Sequence, residues 1–169
     1  MLPYVVEVGQ TGEVHGVGIL PQPWQGQTTA PIRYAVQEWV ERLRTIGTDL
    51  VLFAEQWQKA KAFMTAKAIQ VASPHMREQY DKQTKGMTVQ IQLTSLLPLT
   101  SDWRAVEVEW TEKTFSQQGV LTATEDWKAI VNVGLYPPTA VTKGAELRNP
   151  LGIFVTDYHW TKKPGKDQR

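Results

Sequence analysis

Apolar and polar residues along this chain follow two different periods, and the change falls at Lys85 and Gly86. Before that point Ile32, Ala35, Val36, Trp39, Val40, Leu43 and Ile46 recur at steps of three and four, while Arg33, Gln37, Glu38, Glu41, Arg42 and Arg44 take the other side. That is the stripe of an amphipathic helix. Thr29 or Ala30 precedes it, Pro31 suits its first turn, and Gly47 stops it. Thr48 or Asp49 can cap a second helix that sets Leu50, Phe53, Ala54, Trp57, Ala60 and Met64 on one side, with an end between Met64 and Gln70. Ser73 followed by Pro74 signals a third, shorter helix through about Thr84, with Met76 and Tyr80 on one face.

After Gly86 the period is two. Val89, Ile91 and Leu93 alternate with Gln90, Gln92 and Thr94, and Val106, Val108 and Trp110 alternate with Glu107, Glu109 and Thr111. Each is a strand with one apolar and one wetter face. A third strand runs from about Val120 to Leu135, interrupted near Glu125, with Trp127, Ala129, Val131, Val133 and Leu135 together; Pro137 and Pro138 end it. A polar segment, 139–148, leads to Asn149-Pro150-Leu151-Gly152, where a tight turn passes straight into the last strand, Ile153 to Thr161. Before the helices, Leu2 to Val8 suits a short strand and Val14 to Ile19 a second strand or an irregular edge, the strand reading weakened by Gly16 and Gly18. Helices first and strands afterwards predict an α+β domain in which helical stripes are buried on an antiparallel sheet. The expected core is Trp39, Phe53, Trp57, Val89, Ile91, Val106, Val108, Trp110, Val131, Val133 and Val155.

A chain of 169 residues, 41% of them hydrophobic and seven of them Trp, suits one folded domain. Eighteen basic against seventeen acidic residues, interspersed, give no electrostatic support for nucleic-acid binding. The basic cluster Lys162, Lys163, Lys166 and Arg169 reads as a solvated tail, so the domain is set at 1–163 with a flexible tail at 164–169. With no cysteine there is no disulfide, thiol nucleophile or thiolate metal site. No run approaches the roughly 18 apolar residues of a membrane span.

Candidate chemistry is sparse. His15, His75 and His159 fall on separate elements without HExxH spacing, so neither a metal nor any other cofactor is expected. Asp157 with His159, and Glu107 with Glu109, are same-face pairs that would serve acid-base chemistry only inside a pocket; as surface pairs they are ordinary. Ser73, Ser95, Ser101 and Ser116 lack a nucleophile elbow. Gly9, Gly12, Gly16 and Gly18 are not followed by a phosphate-binding Lys-Ser or Lys-Thr. Trp103, Trp110, Trp127 and Trp160 could stack on bases, but no cationic stripe accompanies them. Core or protein-interface packing is the better reading, with Trp127 and Trp160 the interface candidates if their strands lie at an edge.

The run Asn149 to Trp160, together with Pro3-Tyr4-Val5-Val6-Glu7-Val8 and Ala30-Pro31-Ile32-Arg33, resembles the periplasmic domain of the VirB8 family of type IV secretion components, in particular its TrbF conjugal transfer branch. The resemblance implies an NTF2-like fold, with helices packed on a strongly curved antiparallel sheet. It implies a non-enzymatic assembly component of the inner-membrane complex, on the periplasmic side of the bacterial inner membrane and anchored by an N-terminal helix that this chain does not contain. Implied partners are a VirB10-like channel subunit, a VirB4-like ATPase in the full-length protein, and further copies of itself, with no direct nucleic-acid contact. The family's Asn-Pro-x-Gly turn maps to Asn149, Pro150 and Gly152, where it is implicated in shaping the sheet edge and supporting partner contact. The competing expectation is an NTF2-like small-molecule enzyme or ligand-binding domain. A deep cavity holding Asp157 or His159 would favour it, and a filled cone would favour assembly.

Overall fold

The structure, a computed structural model, describes residues 4–8, 14–19, 29–136 and 148–165, with side chains over the last two ranges. Strands β1 (Tyr4–Val8) and β2 (Val14–Ile19) pair antiparallel as a two-stranded sheet. Helices α1 (Thr29–Arg44), α2 (Leu50–Lys61) and α3 (Ala66–Thr84) follow. Then come β3 (Thr88–Pro98), β4 (Ala105–Phe115), β5 (Leu121–Leu135) and β6 (Ile153–Lys162). These four form an antiparallel sheet in sequence order, as the change of period predicts. Register shifts at Leu93/Ser95, Thr114/Phe115 and Asn132/Val133 mark bulges, each of which adds twist and bends the sheet.

Asp49 caps α2, its carboxylate accepting from the Val51 and Leu52 N–H groups at 2.8 and 3.1 Å. The expected start of α3 at Ser73 is corrected. Thr65 is the cap, its Oγ1 accepting from the Ala68 N–H, and Pro74 lies inside the helix. Pro74 is exposed there, and Ser73 Oγ turns back to donate to the Ile69 carbonyl at 2.9 Å. The expected interruption of β5 near Glu125 is absent as well; the strand runs unbroken and Glu125 meets Lys162 across it at 2.6 Å. Residues 166–169 of the expected tail lie outside the described residues.

Eight of the expected core residues are buried: Trp39, Val89, Val106, Val108, Trp110, Val131, Val133 and Val155. Phe53, Trp57 and Ile91 are only half-buried. The reason is layering. Helices α1 and α3 lie on the sheet, whereas α2 packs on α1 and α3 as an outer layer, buries only Ala60, and leaves Leu50 and Ala54 exposed. Both sheet edges receive a single bridge from a helix connection. Ile46, after α1, exchanges hydrogen bonds of 3.0 and 2.9 Å with Val89 on β3. The Phe63–Thr65 connection between α2 and α3 does the same for β6, the Val155 N–H donating to the Phe63 carbonyl at 2.7 Å and the Thr65 N–H to the Val155 carbonyl at 3.0 Å.

Candidate functional site

The turn before β6 is built around one buried side chain. Asn149 Nδ2 donates to the Ile153 carbonyl at 2.7 Å and to the Ala62 carbonyl at 3.1 Å, and its Oδ1 accepts from the Ile153 N–H at 3.3 Å. Ala62 is the C-cap of α2, so Asn149 satisfies a carbonyl that the helix end leaves without an internal partner. Gly152 takes φ +62°, the left-handed conformation in which a Cβ is strained, and its N–H closes the turn on the Asn149 carbonyl at 3.1 Å. The Gly152 carbonyl accepts from the Tyr136 N–H at 2.8 Å, tying the turn to the end of β5. Helix α2, β5 and β6 are thus fixed at one point, and Pro150 and Leu151 stand exposed at its tip.

The concave face of the sheet is filled, not hollow. Arg44, assigned by its spacing to the polar side of α1, is only 3% exposed, and its guanidinium forks onto Glu112 of β4, 2% exposed, at 2.5 and 3.0 Å. Glu112 also accepts from Trp110 Nε1 at 2.9 Å. The guanidinium carbon lies 4.5 Å from the Trp127 ring and 4.9 Å from the Trp160 ring, between the two indoles. Trp39, Tyr158 and His75 extend the layer, with His75 and Trp160 ring centres 4.6 Å apart. The remaining space beside His75, Gln79 and Trp160 measures about 10 Å³, near the lower bound for one water.

This architecture and the sequence agree with known proteins. The VirB8 protein family matches residues 1–163. The chain belongs to the VirB8 family. It is 25% identical over 164 residues to the conjugal transfer protein TrbF of Rhizobium radiobacter, covering 95% of this chain and 72% of that protein. Among solved structures it is similar to the TrwG component of the type IV secretion system of Bartonella birtlesii (TM-score 0.68, 16% identity, 85% of this chain and 99% of that one). Agrobacterium tumefaciens VirB8 is comparably similar (TM-score 0.67, 14% identity, 86% and 99%). The fold is NTF2-like, as the resemblance implied. The VirB8 and TrbF relationship makes this chain a type IV secretion or conjugal transfer component.

The candidate side chains of this VirB8-family protein occupy different faces of the sheet. Trp160 is on the edge strand β6, yet it faces inward and is 8% exposed; Trp127 is on the interior strand β5, stacked at 8° on Trp110 and half-buried. Both rings belong to the inner aromatic layer and neither offers the open edge face that would make it an interface anchor. Asp157 and His159 share a face as predicted, but on the side opposite Tyr158 and Trp160, away from the filled cone. Asp157 pairs with Lys67 at 3.1 Å, which holds its carboxyl below the usual carboxylate range with help from the Tyr158 N–H. Glu107 and Glu109 are likewise occupied, by Lys128 at 2.8 Å and Lys163 at 2.6 Å. His75 is lowered from its ordinary value by burial and by the nearby Arg44. No group of three or more potential metal ligands occurs among the described residues. No described helix is long and apolar enough to cross a membrane. Gly9 and Gly12 lie outside the described residues, and the His15 side chain is not described.

Proposed function

We propose that this domain is a non-enzymatic assembly component of the inner-membrane complex of a conjugative type IV secretion system, working on the periplasmic side of the bacterial inner membrane through protein contacts. In this reading a VirB10-like channel subunit is its periplasmic partner, a VirB4-like ATPase meets the longer membrane-anchored protein, and copies of the domain self-associate. The observation that carries it is the filled cone. Where an NTF2-like enzyme keeps a cavity for substrate, this domain spends the space on a desolvated Arg44–Glu112 pair and four indoles, a rigid body suited to presenting surfaces. The Asn149 turn supports it further, because a fully bonded frame holds Pro150 and Leu151 outward on a fixed base.

The test is Gly152→Ala. The positive φ makes alanine cost about 1 kcal/mol, so the variant stays folded while the tip is displaced. Isothermal calorimetry against the periplasmic part of the VirB10-like channel subunit is expected to show weaker binding, and concentration-dependent sedimentation reports self-association in the same samples. Unchanged affinity in a folded variant removes the partner-contact role of the turn.

A further inference from the structure

The two edges of the four-stranded sheet are treated differently. On β6 the outer edge is bridged by the Phe63–Thr65 connection and the strand carries Asp157 and Lys162, charges of the kind that discourage pairing with another chain. β3 is likewise bridged at one residue, Val89 by Ile46, but carries no such charge. In an antiparallel ladder the residues whose N–H and C=O groups point away from the neighbour alternate. The outward groups of Val89 therefore place those of Ile91 and Leu93 on the same open side, and after the bulge at Thr94 those of Leu96. Among the described residues no backbone hydrogen bond reaches them from outside the sheet.

This edge also lacks protecting charges. In a chain that is 21% charged, no residue from Gly86 to Ser101 carries a charge. Beyond the bulge, Leu97 and Leu99 are 55% and 50% exposed, and Ile91, Leu93 and Leu96 are half-buried against the core. Unpaired N–H and C=O groups at strand spacing are complementary to another extended backbone, and the uncharged rim, exposed at Gln90, Gln92, Thr94 and Leu97, suits a segment without charges. The bulge at Thr94 and the missing donor of Pro98 limit the site to a short strand.

We propose that the outer edge of β3, from Gln90 to Leu97, is a strand-addition site for an extended, uncharged segment of a second, different polypeptide of the same machine. This deepens the assembly reading and rests on it, but it uses a surface separate from the Asn149 turn. The test is amide hydrogen exchange on the whole chain. It is read at Ile91, Leu93 and Leu96, alone and with blocked ten-residue peptides tiled through the periplasmic segments of the other secretion components. The three amides exchange openly in the isolated chain, and at least one uncharged peptide slows them by about tenfold or more. Thr94→Lys, at an exposed position clear of the core, keeps the melting temperature within about 2 °C and weakens that peptide by about fivefold or more. Three results overturn the proposal: amides already slow in the isolated chain, protection that appears with chain concentration alone and so comes from a second copy, or no peptide that protects. Components that bind the chain while these amides stay open reject the edge and spare the assembly role; no component binding at all rejects both.

Discussion

Replacing Glu112 by Gln keeps the size and shape of the side chain and removes only its charge, which isolates what the buried pair contributes. In the native domain the Arg44 guanidinium is enclosed by two indole faces, and its compensating anion is the Glu112 carboxylate, which also takes the Trp110 N–H. An amide cannot balance the charge, and its NH₂ group points a donor at a donor. Breaking a buried pair from one side costs about 3–5 kcal/mol, because a desolvated charge is left behind. Against a total stability of about 5–15 kcal/mol that is a large fraction. With a urea m value of about 2 kcal/mol/M, the unfolding midpoint of Glu112→Gln falls by roughly 1.5–2.5 M. Arg44→Met together with Glu112→Leu replaces the pair by apolar groups of similar volume and is expected to return to within about 1 kcal/mol of the parent. In the Arg44→Met background, Glu112→Gln then costs far less than it does alone, giving a coupling of about 2 kcal/mol or more in the double-mutant cycle. A Glu112→Gln penalty under about 1 kcal/mol, or a double variant as weak as the single, would refute the claim that Arg44 depends on Glu112 for its counter-charge.

Asn149→Ala leaves the Ala62 and Ile153 carbonyls without their side-chain donor and is expected to cost about 2–3 kcal/mol by urea unfolding; Asn149→Asp, which keeps the shape but cannot donate when ionised, costs at least as much. Pro74→Ala at its exposed site restores an N–H for the Gln70 carbonyl and is expected to raise stability by about 1 kcal/mol, seen as a higher melting temperature. His75 and Glu125 both have lowered values in the fold, the first through burial and Arg44, the second through Lys162. A depressed group contributes fully above its unfolded value and loses that contribution as pH falls through the folded one. The contribution of these two groups is therefore flat above about pH 6.5, the reference value for His, and declines below it as the unfolded chain takes up the proton first. His75→Gln flattens the limb that begins below about pH 6.5 and leaves the carboxylate limb beneath it, a difference read from urea midpoints across pH.

Periodicity carried most of the fold because both periods are dictated by the same sheet. Val106, Val108 and Trp110 alternate since every second residue of β4 faces the helices, and Trp39 and Val40 fall on the stripe of α1 that covers them. The same reasoning misplaced Arg44. Its position at the end of α1 turns it toward the sheet, and a guanidinium can be buried there only because Glu112 and two indoles wait on β4, β5 and β6, partners distant in sequence. The period did hold a signal for Glu112: it continues the inward alternation Val106, Val108, Trp110, so a carboxylate at that place calls for a buried cation. Helix α2 misled for the opposite reason, because its apolar side chains suited burial but its place in an outer layer left little to bury them. The Asn149 turn was legible because its backbone demands are local: Gly152 must accept a positive φ and Asn149 must bond the residues that follow. Its reach to Ala62 could not be read, since that contact depends on where α2 ends.

That reach gives the turn its wider consequence. Because α2 buries only Ala60, burial contributes little to fixing its angle on α1 and α3, and specific ties must supply the rest. At its N-terminus Asp49 caps it and Gln83 Nε2 holds the adjoining Thr48 carbonyl at 3.3 Å; at its C-terminus Asn149 holds Ala62. A change at Asn149 therefore acts in two places, on the Pro150–Leu151 tip and on the exposed Leu50, Val51 and Leu52 surface at the far end of the same helix. A partner that reads either surface senses the turn, whereas the β3 edge, bridged through Ile46 after α1, does not. Hydrogen exchange along α2 in Asn149→Ala should accordingly quicken throughout the helix while Val89 keeps its protection. Equal loosening of α2 and of Val89 would mean that the domain opens as one unit and that the turn has no separate hold on the helix.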